Sequence, residues 1–220
     1  TNSDYAGGVK VQYSRALALD HVNLINNVNN QNQGGGLWTR NNSHISLKNV
    51  IFDGNSSSQE GSGWYSSYSY VYGRDLTFKN HTNRGPIRIS ASRSFDVANV
   101  LVEDNVSNDN IMSINMYDLE SDAQLSNWTV RGNTANSWMI RIDDGSRNGK
   151  KSYYKNWLVV DNTTTGAHPG INFSNTSGTY VFSNLTVWNN ITGNSASNEY
   201  NAQIWHQYSN QTTEMIFMNS

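Results

Sequence analysis

Trp38, Tyr65, Arg88, Arg141, Asp143 and Trp205 are residues whose types suit one chemistry, the recognition of carbohydrate. Flat aromatic faces stack on sugar rings, guanidinium forks pair with uronate carboxylates, and a carboxylate accepts from hydroxyls. Groups for bond cleavage are scarcer. Asp143, Asp144 and Asp118 are the clustered carboxylates near this set, too few for calcium, which takes about six to eight oxygens. Asp143 and Asp144 are adjacent and point to opposite faces if both lie on a strand, whereas an inverting hydrolase needs two carboxylates about 6.5 to 9.5 Å apart. His21, His44, His81, His168 and His206 share no i, i+2 or i, i+4 spacing, so no metal pair is preformed. Gly34-Gly35-Gly36 lacks the Lys-Ser/Thr of a phosphate loop and reads as a turn. No catalytic residue, metal site or cofactor is expected.

A second chemistry is N-glycosylation. Eleven Asn stand in Asn-x-Ser/Thr sequons: Asn41, Asn55, Asn80, Asn105, Asn127, Asn162, Asn172, Asn175, Asn184, Asn190 and Asn210. Chance in a chain this rich in Asn, Ser and Thr gives roughly 7, so position informs more than number. Asn55, Asn105, Asn162 and Asn190 share one place, where the chain leaves a strand for a loop, and are the expected glycan sites. Asn41 and Asn175 match each other just after a strand and come second. The same four Asn also suit left-handed turn geometry without any sugar.

Both sets are positioned by a repeat. One seven-residue pattern runs polar, apolar, variable, apolar, variable, then two positions dominated by Asn, Asp or Gly. It reads His21–Asn27, Asn49–Asn55, Asp75–His81, Asn99–Asn105, Asn127–Asn133, Asn156–Asn162 and Asn184–Asn190, with a weaker eighth copy at Glu214–Ser220. Alternation inside each copy is a half-buried strand, and a fixed period in this range means stacked units. A second strand precedes each copy, as in Gly8–Val11, Gly36–Thr39 and Pro86–Ile89. Units with short strands and no helical period bury their apolar face only by stacking.

Stacking predicts two inward apolar rows, Val22 to Met215 and Leu24 to Phe217, one residue of each from every copy. The polar row ahead of them (His21, Asn49, Asp75, Asn99, Asn127, Asn156, Asn184) is expected to be an inward turn ladder bonding the backbone of adjacent coils, which would leave Asn127 and Asn184 without glycans. On the second strand one outward column is expected, from Lys10 through Trp38, Tyr65, Arg88, Ser113, Arg141 and Asn172 to Trp205. That column reads either as a sugar-binding face or as an ordinary solvated sheet face.

Glycine-led strands followed by the Asn-apolar-x-apolar-x-Asn/Gly-Asn strand resemble the right-handed parallel β-helices of the pectate-lyase-like superfamily, particularly its repeat-rich surface and adhesin-type members. The resemblance covers roughly residues 6 to 220. It implies an all-β, right-handed single-stranded parallel β-helix of about eight coils forming one domain. For function it implies little, since that superfamily holds lyases, hydrolases, adhesins and fibre proteins. The Gly-His-Gly and Arg-Ile-Lys motifs of the polygalacturonase-like hydrolases are absent, and His168-Pro169-Gly170 does not replace the first.

Composition narrows the class. Charged residues make up 15% of the chain and the net charge is -2, which leaves no basic footprint for nucleic acid or a membrane surface. No apolar run approaches a membrane span, and there is no Cys to staple a small scaffold. The expectation is an extracellular or cell-surface structural or adhesive glycoprotein. Its bare terminal coils, with Val9, Val11, Met215 and Phe217, would associate end to end or continue into neighbouring coils. A polysaccharide-binding or polysaccharide-cleaving domain using the Trp38 to Trp205 column is the alternative.

Overall fold

The computed structural model describes residues 6–41, 44–90, 92–116, 119–143, 149–166, 169–173, 178–193, 203–206 and 213–218. Among them there is no helix, and so none long and apolar enough to cross a membrane. Every strand pairing is parallel, and the chain winds as a parallel β-solenoid.

A short-strand sheet is formed, in stacking order, by Val9–Gln12, Leu37–Arg40, Trp64–Ser67, Ile87–Ser90, Met112–Asn115, Ile140–Asp143, Ile171–Phe173 and Ile204–His206. A long-strand sheet follows the same order with Leu17–Ile25, Ile45–Asp53, Tyr70–Lys79, Ser94–Glu103, Ala123–Arg131, Lys151–Val160, Gly178–Trp188 and Thr213–Met218. A third face carries two-residue strands at Val28–Asn29, Ser56–Ser57, Val106–Ser107, Thr134–Ala135, Thr163–Thr164 and Ile191–Thr192. Among the described residues about six turns therefore carry a strand on all three faces, against the eight coils expected, while each of the two larger sheets has eight strands.

Each long strand has two arms joined at the polar residue of the repeat. His21, Asn49, Asp75, Asn99, Asn127, Asn156 and Asn184 all have φ between 50° and 59°, the left-handed region that Asn, Asp and His tolerate best. That residue turns the chain and resets the alternation. Leu17 and Leu19 face the core on the first arm, Val22 and Leu24 on the second, with two residues between Leu19 and Val22 instead of one. The expected rows hold through seven coils, Val22 pairing with Val50 and onward to Leu185, Leu24 with Phe52 and onward to Val187. The eighth copy is out of step. Met215 pairs with Tyr180 and Phe217 with Phe182, on the first arm, rather than with Leu185 and Val187. The aromatic first arm of Gly178–Trp188 offers Phe217 a ring to stack on, at 4.9 Å between centroids.

Equivalent positions on neighbouring coils place like rings over like. Phe52 and Phe78 stack at 4.5 Å and Trp128 and Trp157 at 5.1 Å. Each such pair adds about 0.5 to 1.5 kcal/mol beyond the area it buries. Both indole N–H groups are satisfied, Trp128 Nε1 donating to Val97 O at 3.2 Å and Trp157 Nε1 to Leu125 O at 3.0 Å.

Candidate functional site

The outward column of the short-strand sheet exists in the expected register. Lys10, Trp38, Tyr65, Arg88, Ser113, Arg141, Asn172 and Trp205 face one another coil by coil. It is not the open face that sugar stacking needs. Trp38 is only 1% exposed, because the chain entering its strand folds back over it at Gly34, where φ is 72° and an added Cβ would stand 2.6 Å from Trp38 Cβ. Gly61, with φ 74°, does the same over Tyr65. The Trp38 ring lies near-parallel to that of Tyr65 at 6.1 Å, and the Lys10 ammonium is 5.7 Å from the Trp38 ring centre.

The charged members are paired with each other or with their covering loops. Arg88 Nε meets Glu60 at 3.2 Å and its Nη1 donates to Ser113 Oγ. Arg141 Nε meets Asp143 at 2.7 Å while its guanidinium lies over the Trp138 ring at 4.7 Å. Ser113, Asn115, Asp143 and Asn172 are buried. Asn172 borders residues 174–177 and Asp143 borders 144–148, segments that lie outside the described residues, as does Asp118. Trp205 is half-buried. A cavity of about 10 Å³ among Glu60, Asp109 and Ser113 has room for one water and none for a sugar. Among the described residues no three His, Cys, Asp or Glu stand close enough to hold a metal ion.

The two Asn rows exchange the roles expected of them. Asn55, Asn105 and Asn162 are 0% exposed and Asn190 is 4% exposed. With Asn133 they form a ladder inside the solenoid. The Nδ2 groups donate to backbone carbonyls of the preceding coils, Asn55 to Leu24 O at 2.7 Å, Asn105 to Phe78 O at 3.1 Å, Asn162 to Val130 O at 3.0 Å and Asn190 to Val159 O at 2.9 Å. The Oδ1 groups accept from the backbone N–H of the coil before, as Asn133 does from Asn105 at 3.1 Å. A glycan on these nitrogens would displace the ladder from the core, so the expectation of sugars at Asn55, Asn105, Asn162 and Asn190 is corrected. The strand-end position is inward because the left-handed residue before each one (Gly54, Asp104, Asp161, Asn189) turns the next side chain in. Asn41 is half-buried at the end of its strand, and Asn175 lies outside the described residues.

The row expected to face inward is exposed, apart from half-buried Asn49. Its amides bond to each other, Asn127 to Asn99 at 2.9 Å, Asn156 to Asn127 at 2.8 Å and Asn184 to Asn156 at 2.8 Å. A side-chain amide has two hydrogens and this ladder takes one, which leaves the other free for a sugar. In protein made by a glycosylating host, glycopeptide mapping is expected to find sugar among the exposed sequons Asn80, Asn127 and Asn184 and none at Asn105 or Asn162. A hexosamine mass on Asn105 or Asn162 in folded protein contradicts the inward ladder.

One position breaks the inner row. His81 stands where other coils have Asn and is fully buried. Its backbone N–H donates to Asn105 Oδ1 at 3.0 Å, and its ring nitrogens face Asn55 O at 2.9 Å and Phe52 O at 3.2 Å. Burial disfavours the imidazolium and takes its pKa down to about 4, against the two carbonyls and Asp53, which pull it up. The ring is therefore neutral at pH 7 and donates to one carbonyl only.

No family model, curated protein or solved structure matches the chain.

Proposed function

We propose that the chain is a structural or adhesive module of an extracellular or cell-surface glycoprotein, a right-handed β-helix of the pectate-lyase-like kind whose terminal coils stack on further coils of this kind, those of a second copy or neighbouring ones. The observation that carries this reading is the contrast between inner and terminal coils. Ile171 and Phe182 are 1% exposed, whereas Ile204 and Phe217, their partners on the last coil, are 37% and 47% exposed. On the first coil Val9, Leu17, Leu19 and Val22 are half-buried, while their neighbours Leu37, Ile45, Leu47 and Val50 are at most 1% exposed. A parallel edge with an apolar row beneath it templates another strand of the same kind. A uniform stack with its polar groups bonded coil to coil suits load-bearing or display.

Sedimentation velocity tests it. The weight-average coefficient is expected to rise with concentration, and Phe217→Lys or Val9→Lys, each retaining a β-sheet circular-dichroism spectrum, to hold the protein at the monomer value. A coefficient that stays monomeric at every concentration, or association unaffected by either lysine, overturns the stacking.

A further inference from the structure

The long-strand sheet carries a second aromatic set on its first arm, outside the seven-residue repeat. Ser46, Tyr72 and Asp96 face one another in register on three neighbouring coils. Beside that row, Ser94 faces Tyr70, and the His44 ring stacks on Tyr70 at 5.4 Å with 21° between planes. These six residues line an open concavity of about 410 Å³, within the size of small-ligand pockets, about 300 to 1,000 Å³. Two residues along a strand and three coils across make a footprint of roughly 7 by 10 Å, the area of a sugar ring or two.

The electrostatics select the ligand. Arg74 lies over the Tyr72 ring at 4.1 Å, donates to Asp96 Oδ1 at 2.8 Å, and gives its other guanidinium nitrogen to the carbonyls of Gly73 at 2.7 Å and Asp96 at 2.9 Å. The carboxylate is thus neutralised by a cation held in place at three acceptors. An anionic sugar would find the Arg74 guanidinium already paired, and an organic cation would compete with Arg74 for Asp96. Tyr72 remains 45% exposed.

We infer that this concavity binds a neutral carbohydrate, a ring C–H face on the side of Tyr72 away from Arg74 and hydroxyls on Ser46, Ser94 and Asp96 Oδ2, with Tyr70 held beside them by its stack on His44. Aromatic faces with few fixed polar groups around them recognise amphipathic rings of this kind. The site gives the adhesive reading a ligand class but does not depend on coil stacking, since it lies on the side of the solenoid and not at an end.

Isothermal titration of the whole chain with neutral hexasaccharides of glucose, xylose and mannose, and with hexagalacturonate as charged comparator, tests it. At least one neutral hexasaccharide is expected to bind and hexagalacturonate not to. Tyr72→Ala is expected to weaken binding about tenfold, the loss of one stacked ring, with melting temperature nearly unchanged because the side chain is exposed. Ser46→Gln, which fills the concavity and keeps the ring, is expected to weaken binding as well. No binding by any neutral hexasaccharide, preference for hexagalacturonate, or binding that survives both substitutions overturns the inference. Loss on Tyr65→Ala with Tyr72→Ala unaffected would place the sugar on the short-strand sheet and overturn it too.

Discussion

Asn133→Ala is expected to destabilise the folded chain by several times the cost of Asn127→Ala, although both remove an asparagine that bonds to its neighbours above and below. Asn133 is 1% exposed. Its Nδ2 donates to Val102 O at 3.0 Å, Arg131 O at 2.9 Å and Asn162 Oδ1 at 2.9 Å, and its Oδ1 accepts from the backbone N–H and Nδ2 of Asn105 at 3.1 and 2.9 Å. Alanine leaves the Asn105 N–H and one Asn105 Nδ2 hydrogen buried without their acceptor, at about 1 to 3 kcal/mol each, so the loss is about 2 to 6 kcal/mol. Water replaces whatever Asn127 gives up, and substitutions on such surfaces stay within about 0.5 kcal/mol apart from any cost of the left-handed backbone, for which alanine adds roughly 1 kcal/mol. Urea denaturation of both variants measures the difference. Equal losses would mean that the inner ladder is not sealed from water.

The solenoid could be read from the chain because it repeats. A seven-residue pattern fixes which residues stack on which, and the structure keeps that register from Val22 to Leu185 and from Leu24 to Val187. Which way a polar row faces is a different matter, set by backbone conformation that periodicity does not encode. His21, Asn49 and Asn99 occupy the left-handed region and so lie on the outside of a bend. Their residue types carry that signal, since Asn, Asp and His recur at the one position that φ above zero requires. The inward turn of Asn55 and Asn105 had a matching cue in the Gly54 and Asp104 that precede them.

Openness of a face is legible only where nothing crosses it. The Trp38 to Trp205 column follows from two-residue alternation along the short strands. The loops that cover Trp38 and Tyr65 come from the preceding turns and depend on Gly34 and Gly61 allowing a close approach. The Tyr70 and Tyr72 concavity is open but carries no periodic signal. It sits on the first arm, ahead of the conspicuous repeat, where residues vary from coil to coil.

His81 is expected to make the fold lose stability as pH falls from about 6.5 to about 4, a loss that His81→Asn removes. The sign follows from where the proton goes. In the unfolded chain the imidazole titrates near its ordinary value of about 6.5, and in the folded one burial holds it at about 4. Between those values the unfolded state binds a proton that the folded state refuses, so acid favours unfolding. The full excursion is on the order of 3 kcal/mol, and below pH 4 this residue contributes no further slope. Asparagine at this position matches Asn55 and Asn105 on either side and does not titrate. Carboxylates elsewhere also take up protons in acid, but equally in both proteins, so the difference in unfolding free energy between wild type and variant isolates the histidine. Urea denaturation at pH 7, 5.5 and 4.5 is expected to show that difference moving steadily in favour of His81→Asn. A difference that stays constant across the three would show that the folded ladder accepts the proton as readily as the unfolded chain does, and so that burial does not hold the ring neutral.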